Sequence, residues 1–301
     1  MIRTDIRPMA AAATPSGFRA SDLQAAYKLP IARGSGQTIA IVDAYDAPTA
    51  EADLAAYRTQ YGLPPCTSAD GCFAKVNQAG SAGPYPDVDG CWAVEISLDL
   101  DMASASCPEC NILLVEGNSS LLDDLAASLD TAVSLGAGVV SNSYGLSEFN
   151  GMQDYFIHYQ HSGNVIVASS GDVGFTAAQF PAVTPGVFAV GGTSLYAADN
   201  ARGWTEKAWS GASSGCSAYV DKPAYQKDEH SHMRTIADVS ADADPDTGVA
   251  VYDPTSNPYG PPGWLVVGGT SAASPFIARV IGMAGNASTF SRWPCSAIFM
   301  G

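Results

Sequence analysis

Short apolar, β-branched segments alternate with longer helix-like segments through most of the chain, and this alternation limits the fold more than any other feature. The apolar runs predict buried strands, and the segments between them predict helices. The predicted strands are residues 37–43, 73–77, 111–116, 138–143, 164–170 and 187–193. The predicted helices are residues 47–61, 91–106, 121–135 and 149–162. Strands and helices in this order form βαβ units, so the sequence predicts an α/β fold with a mainly parallel sheet and helices on both faces.

The rest of the chain adds few regular elements to this pattern. Residues 197–263 are predicted to be rich in loops, with short strands at 248–252 and 265–268. No segment has the composition of a linker between two domains. We therefore expect residues 17–301 to form a single domain, preceded by linker residues 1–16.

The charge of the chain and its short apolar runs argue against two classes of partner, nucleic acids and membranes. It has 30 Asp and Glu residues against 14 Lys and Arg, and a net charge of −16. Nucleic acid is not an expected partner, because its phosphates would be repelled. No membrane is expected either, since no apolar run reaches the roughly 18 to 20 residues that span a bilayer. We expect the chain to act as a monomer.

Four of the seven cysteines form two close pairs in the sequence. Both pairs, Cys66 with Cys72 and Cys107 with Cys110, have spacings that suit short disulfide loops in an oxidising compartment. These pairs favour an extracellular protein. Because residues 1–16 lack the apolar core of a secretory signal, we expect that signal to lie outside this chain. A redox centre at Cys107 and Cys110 is disfavoured, because the pair follows a predicted helix instead of opening one.

Ser271 has the surroundings of a nucleophile at the start of a helix. Two glycines and Thr270 precede it, and a helix is predicted over residues 276–284 with Pro275 in its first turn. A hydroxyl at such a position feels the free N–H groups and the positive end of the helix dipole. Developing negative charge is favoured there, so the sequence predicts a serine nucleophile that needs a proton acceptor.

None of the four histidines has the context of that acceptor. His158 and His161 lie three residues apart on a predicted helix and are expected at the surface. Their spacing is poor for a zinc pair, which prefers i, i+4 and needs a further ligand nearby. His230 and His232 lie in an acidic, loop-like segment and are expected to be solvated.

Glu95 and Asp99 offer a different acceptor. Their i, i+4 spacing places both carboxyls on one face of the predicted helix. Two acids this close disfavour double ionisation, so they share a proton and can accept another in acid. An exposed acidic face is the alternative, although the neighbouring residues are apolar. Asp101 is expected near the opposite side of the helix and solvated.

Asp172 follows an apolar strand, at the end where parallel sheets place their ligand sites. A protonated Asp can donate a hydrogen bond to an oxyanion, provided that its pKa is high or the medium acidic. The same residue in the same place can equally be a helix cap or a turn acid. The local sequence leaves both interpretations open.

Taken together, three of these segments resemble the sedolisins, which are serine-carboxyl peptidases with a subtilisin-like fold. The segments are Gly-Thr-Ser-Ala-x-Ser-Pro around Ser271, the Glu-x3-Asp element of Glu95 and Asp99, and Ser-Ser-Gly-Asp ending at Asp172. The Gly-Thr-Ser context alone is shared with subtilisins. The three segments in this order are much more specific, and the similarity extends over about residues 17–284.

The resemblance implies an endopeptidase that cleaves polypeptides at acidic pH. Ser271 would be the nucleophile, Glu95 its general base and acid, and Asp99 the residue that orients Glu95. Asp172 would stabilise the oxyanion together with the Ser271 N–H, whereas Asp43 is expected to be structural. Two chain edges would pair with an extended peptide by strand addition. The edges are Ser143, Tyr144 and Gly145, and Ser169, Ser170 and Gly171.

The same resemblance also implies features that this sequence lacks. Sedolisins bind a structural calcium through an Asp- and Gly-rich segment well after the nucleophile, but the sequence ends at Gly301. We therefore expect a catalytic domain truncated at its C-terminus, a calcium site downstream of Gly301 and no cofactor site in the chain itself. Residues 1–16 are at most a prosegment remnant, and Cys216 or Cys295 is expected to be unpaired. The alternative is an inactive remnant that retains only a peptide-binding groove.

Overall fold

The predicted alternation of strands and helices is present in the computed structural model, which describes residues 6–8, 15–31, 36–259 and 261–285. The strands are β1 (Ile6–Pro8), β2 (Thr38–Ala44), β3 (Phe73–Asn77), β4 (Asn111–Gly117), β5 (Val139–Asn142), β6 (Leu146–Ser147), β7 (Val165–Ser169), β8 (Gln179–Phe180), β9 (Phe188–Ala197), β10 (Trp204–Ala208), β11 (Gly215–Asp221), β12 (Met233–Ile236), β13 (Val239–Asp242), β14 (Val249–Asp253) and β15 (Gly263–Val267). The α-helices are α1 (Ala20–Tyr27), α2 (Ala50–Gln60), α3 (Gly90–Ser106), α4 (Leu122–Ser134), α5 (Phe156–Tyr159) and α6 (Thr270–Met283).

The main sheet has the strand order β10-β9-β7-β5-β2-β4-β3, and β13 pairs with β9. Every pairing in it is parallel except that of β10 with β9. The predicted α/β fold with a mainly parallel sheet is therefore confirmed. The carboxyl ends of β2, β5 and β7 lie side by side, and such an edge is where open parallel sheets hold their sites.

Side chains of β2 alternate between two apolar layers, as the two-residue period of a strand requires. Ile39 packs with residues of α3 and α6, whereas Ala40 and Val42 pack with residues of α4. Helices therefore cover both faces, which explains why residues 39–42 of β2 are all apolar. Asp43 continues the series of Ile39 and Ile41, so its side chain is directed to the face that α3 covers.

Helix α3 is buried on all sides, and this contradicts one expectation about its acids. Every residue from Ala93 to Ser106 is buried. Asp101 is 1% exposed and accepts a hydrogen bond from the Tyr252 N–H at 3.0 Å, so the prediction that it is solvated was wrong. The reason is that β14 covers the side of α3 turned away from Glu95 and Asp99. The exposed acidic face considered for Glu95 and Asp99 is excluded as well, since their exposures are 2% and 0%.

Two parts of the chain differ most from the predicted secondary structure. Residues 149–162 do not form one helix but a 3₁₀ turn (Met152–Tyr155) followed by the short α5. The segment predicted to be rich in loops contains β10 to β13. In β11, buried and exposed positions are mixed, so its apolar pattern is too weak to predict a strand. In the described ranges, no helix is long and apolar enough to cross a membrane.

Both predicted disulfides are present. Cys66 is bonded to Cys72, and Cys107 is bonded to Cys110. Cys216 is exposed and unpaired, as is Cys91, while Cys295 lies outside the described residues. The segment after residue 285, where no calcium-binding pattern was found, also lies outside them.

Candidate active site

Ser271 is the second residue of α6, which begins at Thr270. The helix therefore starts six residues earlier than predicted, and Pro275 lies inside it instead of in its first turn. Gly269 precedes the helix with φ of 113°, a conformation that L side chains rarely adopt. The glycine thus allows the chain to turn sharply into the helix. The positive end of the helix dipole lies near the Ser271 hydroxyl.

Pro275 explains how this helix is attached to the sheet. It has no N–H to donate to the Ser271 carbonyl one turn earlier. The Ser143 hydroxyl, just after β5, donates to that carbonyl instead, at 3.5 Å. One turn further along, the hydroxyls of Ser141 and Ser274 are 3.0 Å apart. The first two turns of α6 are therefore fixed to β5 by side chains of the same strand face.

Asp172 lies at the start of α6 and bonds to its first residue. Its Oδ1 accepts from the Thr270 N–H at 2.7 Å and from the Thr270 hydroxyl at 2.8 Å. The same hydroxyl accepts from the Gly171 N–H at 3.0 Å. Asp172 is therefore a cap of α6 contributed by a distant part of the chain. This contact also brings its carboxyl next to Ser271, so the cap and the oxyanion interpretations are compatible.

Three buried carboxyls lie together on the α6 side of the sheet. Burial raises the pKa of Asp99 well above its usual value, and the nearby charges of Asp43 and Glu95 raise it further. A hydrogen bond from Ser143 acts in the opposite direction. The pKa of Asp43 is raised in the same way, first by burial and then by the charges of Glu95 and Glu116. Ser143 thus contacts both the serine helix and the acid pair.

Asp43 is the member of this cluster that the sequence interpretation left out. It was expected to be structural, yet its charge acts directly on both Glu95 and Asp99. Its position carries a signal that could have been used. Asp43 lies near the carboxyl end of a central strand, and the alternation from Ile39 and Ile41 directs it toward α3.

Two adjoining cavities are lined by several of the candidate residues. The smaller cavity has a volume of about 30 Å³. It is lined by Ser271, Asp172 and five residues of the two predicted substrate edges. The larger, about 630 Å³, reaches Glu95 and is mostly apolar. Tyr144 and Gly145 line both cavities. The edge residues in the smaller cavity are Ser143, Tyr144, Gly145, Ser169 and Gly171.

Two of the predicted edge residues, Ser170 and Tyr144, have buried side chains. Ser170 is fully buried and is not among the residues that line either cavity, while its N–H donates to the Val190 carbonyl. The Tyr144 hydroxyl donates to Asn142 at 2.7 Å. Gln179 also lines the smaller cavity and was not predicted. No sequence motif marks Gln179, because it reaches this place only through the pairing of β8 with β6.

The histidines lie away from these cavities. His158 Nδ1 is 2.6 Å and His161 Nε2 is 3.0 Å from the carboxylate of Asp130, on α4. His230 and His232 are exposed, as expected. No histidine is among the residues that line the two cavities.

Within the part of the chain that the structure describes, no cluster of three or more His, Cys, Asp or Glu side chains is arranged to hold a metal ion. No chemical step is assigned to a metal.

Comparisons with known proteins bear on the family and the fold of the chain. The profile described as the Subtilase family matches residues 78–293. Kumamolisin from Bacillus sp. (strain MN-32) is 26% identical over 304 residues, which cover 89% of this chain and 52% of kumamolisin. Sedolisin from Pseudomonas sp. (strain 101) is 30% identical over 287 residues, covering 79% of this chain and 47% of sedolisin. The chain spans about half the length of these curated relatives.

A solved structure shows the same fold. Pseudomonas sedolisin, a serine-carboxyl proteinase complexed with two molecules of pseudo-iodotyrostatin, superposes with a TM-score of 0.73 at 24% identity. The superposition covers 94% of this chain and 87% of that one. A protein described as S41 psychrophilic protease superposes with a TM-score of 0.58 at 19% identity, covering 93% of this chain and 86% of that chain. The subtilisin-like fold predicted from the sequence is therefore confirmed.

Proposed function

The chain belongs to the subtilase family, and we propose that it is a serine peptidase that hydrolyses polypeptides at acidic pH. One observation carries the proposal. Buried helix α3 brings Glu95 and Asp99 beside the helix that bears Ser271, while the histidines lie elsewhere. We therefore assign the proton acceptor that a serine hydrolase needs to this carboxyl pair.

In the first step, Ser271 Oγ attacks the carbonyl carbon of the scissile peptide bond. Its proton passes to Glu95, and the carbonyl oxygen becomes an oxyanion. The Ser271 N–H at the start of α6 and a protonated Asp172 stabilise that charge. Asp172 is suited to this role because its Oδ1 is held by Thr270, which fixes the carboxyl beside the nucleophile.

In the second step, Glu95 returns the proton to the leaving amine, and the C–N bond breaks to give an acyl-enzyme. Water then attacks the ester, giving its proton to Glu95, and Ser271 regains a proton as the acid product leaves. Asp99 shares a proton with Glu95 through both steps, because two buried carboxyls so close cannot both be charged. The pair therefore changes its protonation as one unit.

Acid suits this chemistry for two reasons. Asp172 can donate to the oxyanion only while it holds its proton. An imidazole would already be charged at about pH 4 and unable to accept a proton, whereas a carboxyl is still able to do so. Extended substrates would pair with the Ser143–Gly145 and Ser169–Gly171 edges that flank Ser271. The two disulfides support secretion into an oxidising compartment.

Replacing Ser271 with alanine tests the proposal. Cleavage of a denatured protein at about pH 4 is expected to fall by roughly 10³-fold or more, because the nucleophile is lost. Ser128→Ala is the matched control, since Ser128 is an equally buried serine on the opposite face of the sheet. Its rate should stay unchanged. Absence of Ser271-dependent cleavage in the wild-type chain would favour the inactive, peptide-binding alternative.

A further inference from the structure

We propose that Arg279 is a positioning residue that fixes the register of α6 against α3, and with it the place of Ser271 relative to Glu95. The effect on catalysis rests on the proposed peptidase function. The register itself is a property of the fold and can be tested without turnover.

Arg279 is a fully buried cation that joins the two helices. Its Nε donates to the Ala103 carbonyl at 3.2 Å, in the last turn of α3. Its Nη1 donates to the Asn111 carbonyl at 2.8 Å and its Nη2 to the Cys110 carbonyl at 3.3 Å. A buried guanidinium is costly unless it is hydrogen-bonded, so these three bonds allow few alternative positions for α6. The end of α3 favours a cation, because its carbonyls carry partial negative charge.

The contact has the same separation in the sequence as the proposed catalytic pair. Arg279 and Ala103 are 176 residues apart in the sequence, and so are Ser271 and Glu95. Arg279 follows Ser271 by eight residues, just as Ala103 follows Glu95. Eight residues correspond to roughly 12 Å along an α-helix. A slip of α6 along α3 would therefore break the Arg279 bonds and move Ser271 away from Glu95 by the same amount.

Both ends of the helix pair are thus fixed by side chains. At the start, the Ser143 hydroxyl donates to the Ser271 carbonyl and lies near Asp99. Two turns further on, Arg279 bonds to Ala103 and to the loop that the Cys107–Cys110 disulfide closes. Two attachments separated by two turns restrict both sliding and tilting of α6. One attachment alone would leave the helix free to pivot.

Arg58 provides a matched control at the same end of α3. It is 1% exposed and donates to the Ser104 hydroxyl at 3.0 Å and the Pro108 carbonyl at 2.7 Å. Its third bond, at 2.5 Å, goes to the Pro64 carbonyl. Arg58 therefore holds α3 against α2 and has no hydrogen bond to α6. Removing either guanidinium disturbs the same region, but only Arg279 connects α3 to the helix that carries Ser271.

The test compares Arg279→Met with Arg58→Met in the full chain. Arg279→Met should lower kcat by about 10²-fold with little change in KM, since a misplacement of about 1 Å costs that much. Arg279→Lys should recover part of the loss, because it retains the charge and one donor. Arg58→Met should lower the unfolding temperature to a similar degree but keep kcat within about twofold of the wild type. Equal losses of kcat in the two Met variants, or none in Arg279→Met, would overturn the proposal.

Crystal structures of the same variants give the second readout. The distance from Ser271 Oγ to the Glu95 carboxyl should change by about 1 Å in Arg279→Met and stay constant in Arg58→Met. An unchanged distance in Arg279→Met refutes the register role. If the wild-type chain shows no Ser271-dependent cleavage, the peptidase function fails, and this distance still decides about Arg279. If a Met variant does not fold, Arg279→Lys and Arg58→Lys carry the same comparison.

Discussion

Replacing Glu95 with glutamine is expected to lower kcat by about 10³-fold at the pH where the wild-type chain is most active. The amide has nearly the shape of the carboxyl but cannot accept the Ser271 proton. Because Glu95 is 2% exposed, bulk water cannot easily take its place. KM should change little, since the loss concerns proton transfer and not substrate binding. The measurement is steady-state cleavage of a peptide substrate by the purified variant.

Asp101→Asn is the control for this substitution. Asp101 lies on the same helix and is as buried as Glu95, but it bonds to Tyr252 on the opposite side. Its amide analogue keeps an oxygen that can accept from the Tyr252 N–H, so kcat should remain within about twofold of the wild type. If Glu95→Gln retained wild-type kcat, or if both variants lost it equally, Glu95 would not be the proton acceptor.

Stability is expected to increase when the protein is acidified from about pH 7 to about pH 5. Burial raises the pKa values of four Asp carboxyls well above their usual range. Burial also raises the pKa of Asp53 to about 6 and that of Glu116 to about 8. The four Asp residues are Asp43, Asp99, Asp101 and Asp242.

The direction of this change in stability follows from the number of protons that the folded and the unfolded chain bind. The unfolded chain loses these protons near pH 4, whereas the folded chain retains them to higher pH. Between those values the folded state binds more protons, so stability is greatest below about pH 4 to 5 and is lost as pH rises through the folded pKa values. Each fully buried group contributes up to ~1.4 kcal/mol per pH unit within its window.

Urea unfolding at several pH values measures this slope. Asp101→Asn should make it shallower by about one proton, because the amide does not titrate. Asp101 suits the purpose since its carboxyl is outside the catalytic cluster. A free energy of unfolding that rises between pH 5 and pH 7, or a slope unaffected by Asp101→Asn, would contradict the account of the buried acids.

The sequence predicted the central sheet well because the strands of a parallel sheet are apolar on both faces. The placement of Glu95 and Asp99 on one helix was also predictable, since it depends only on the pattern within one segment. The prediction that Asp101 is solvated was wrong for a related reason. Spacing gives the direction of a side chain around the helix axis, but whether β14 covers that direction depends on residues about 150 positions away.

The predicted start of α6 was wrong for a different reason. Pro275 favours the first turn of a helix, where its missing N–H is harmless. Here the Ser143 hydroxyl bonds to the carbonyl that the proline leaves free, and Asp172 caps a helix 98 residues away. Both partners are remote in sequence, so no local pattern could reveal them. The same holds for the contacts of Arg279, which no motif marks.

The pH dependence of kcat/KM for the wild-type chain tests most directly the claim that a carboxyl pair, and not imidazole, serves Ser271. We predict maximal cleavage below about pH 5 and a steady decline toward pH 7, as the carboxyl groups lose the protons on which the site depends. A rate that rises with pH through an inflection near 6.5, the usual pKa of histidine, and is highest at neutral pH would contradict it.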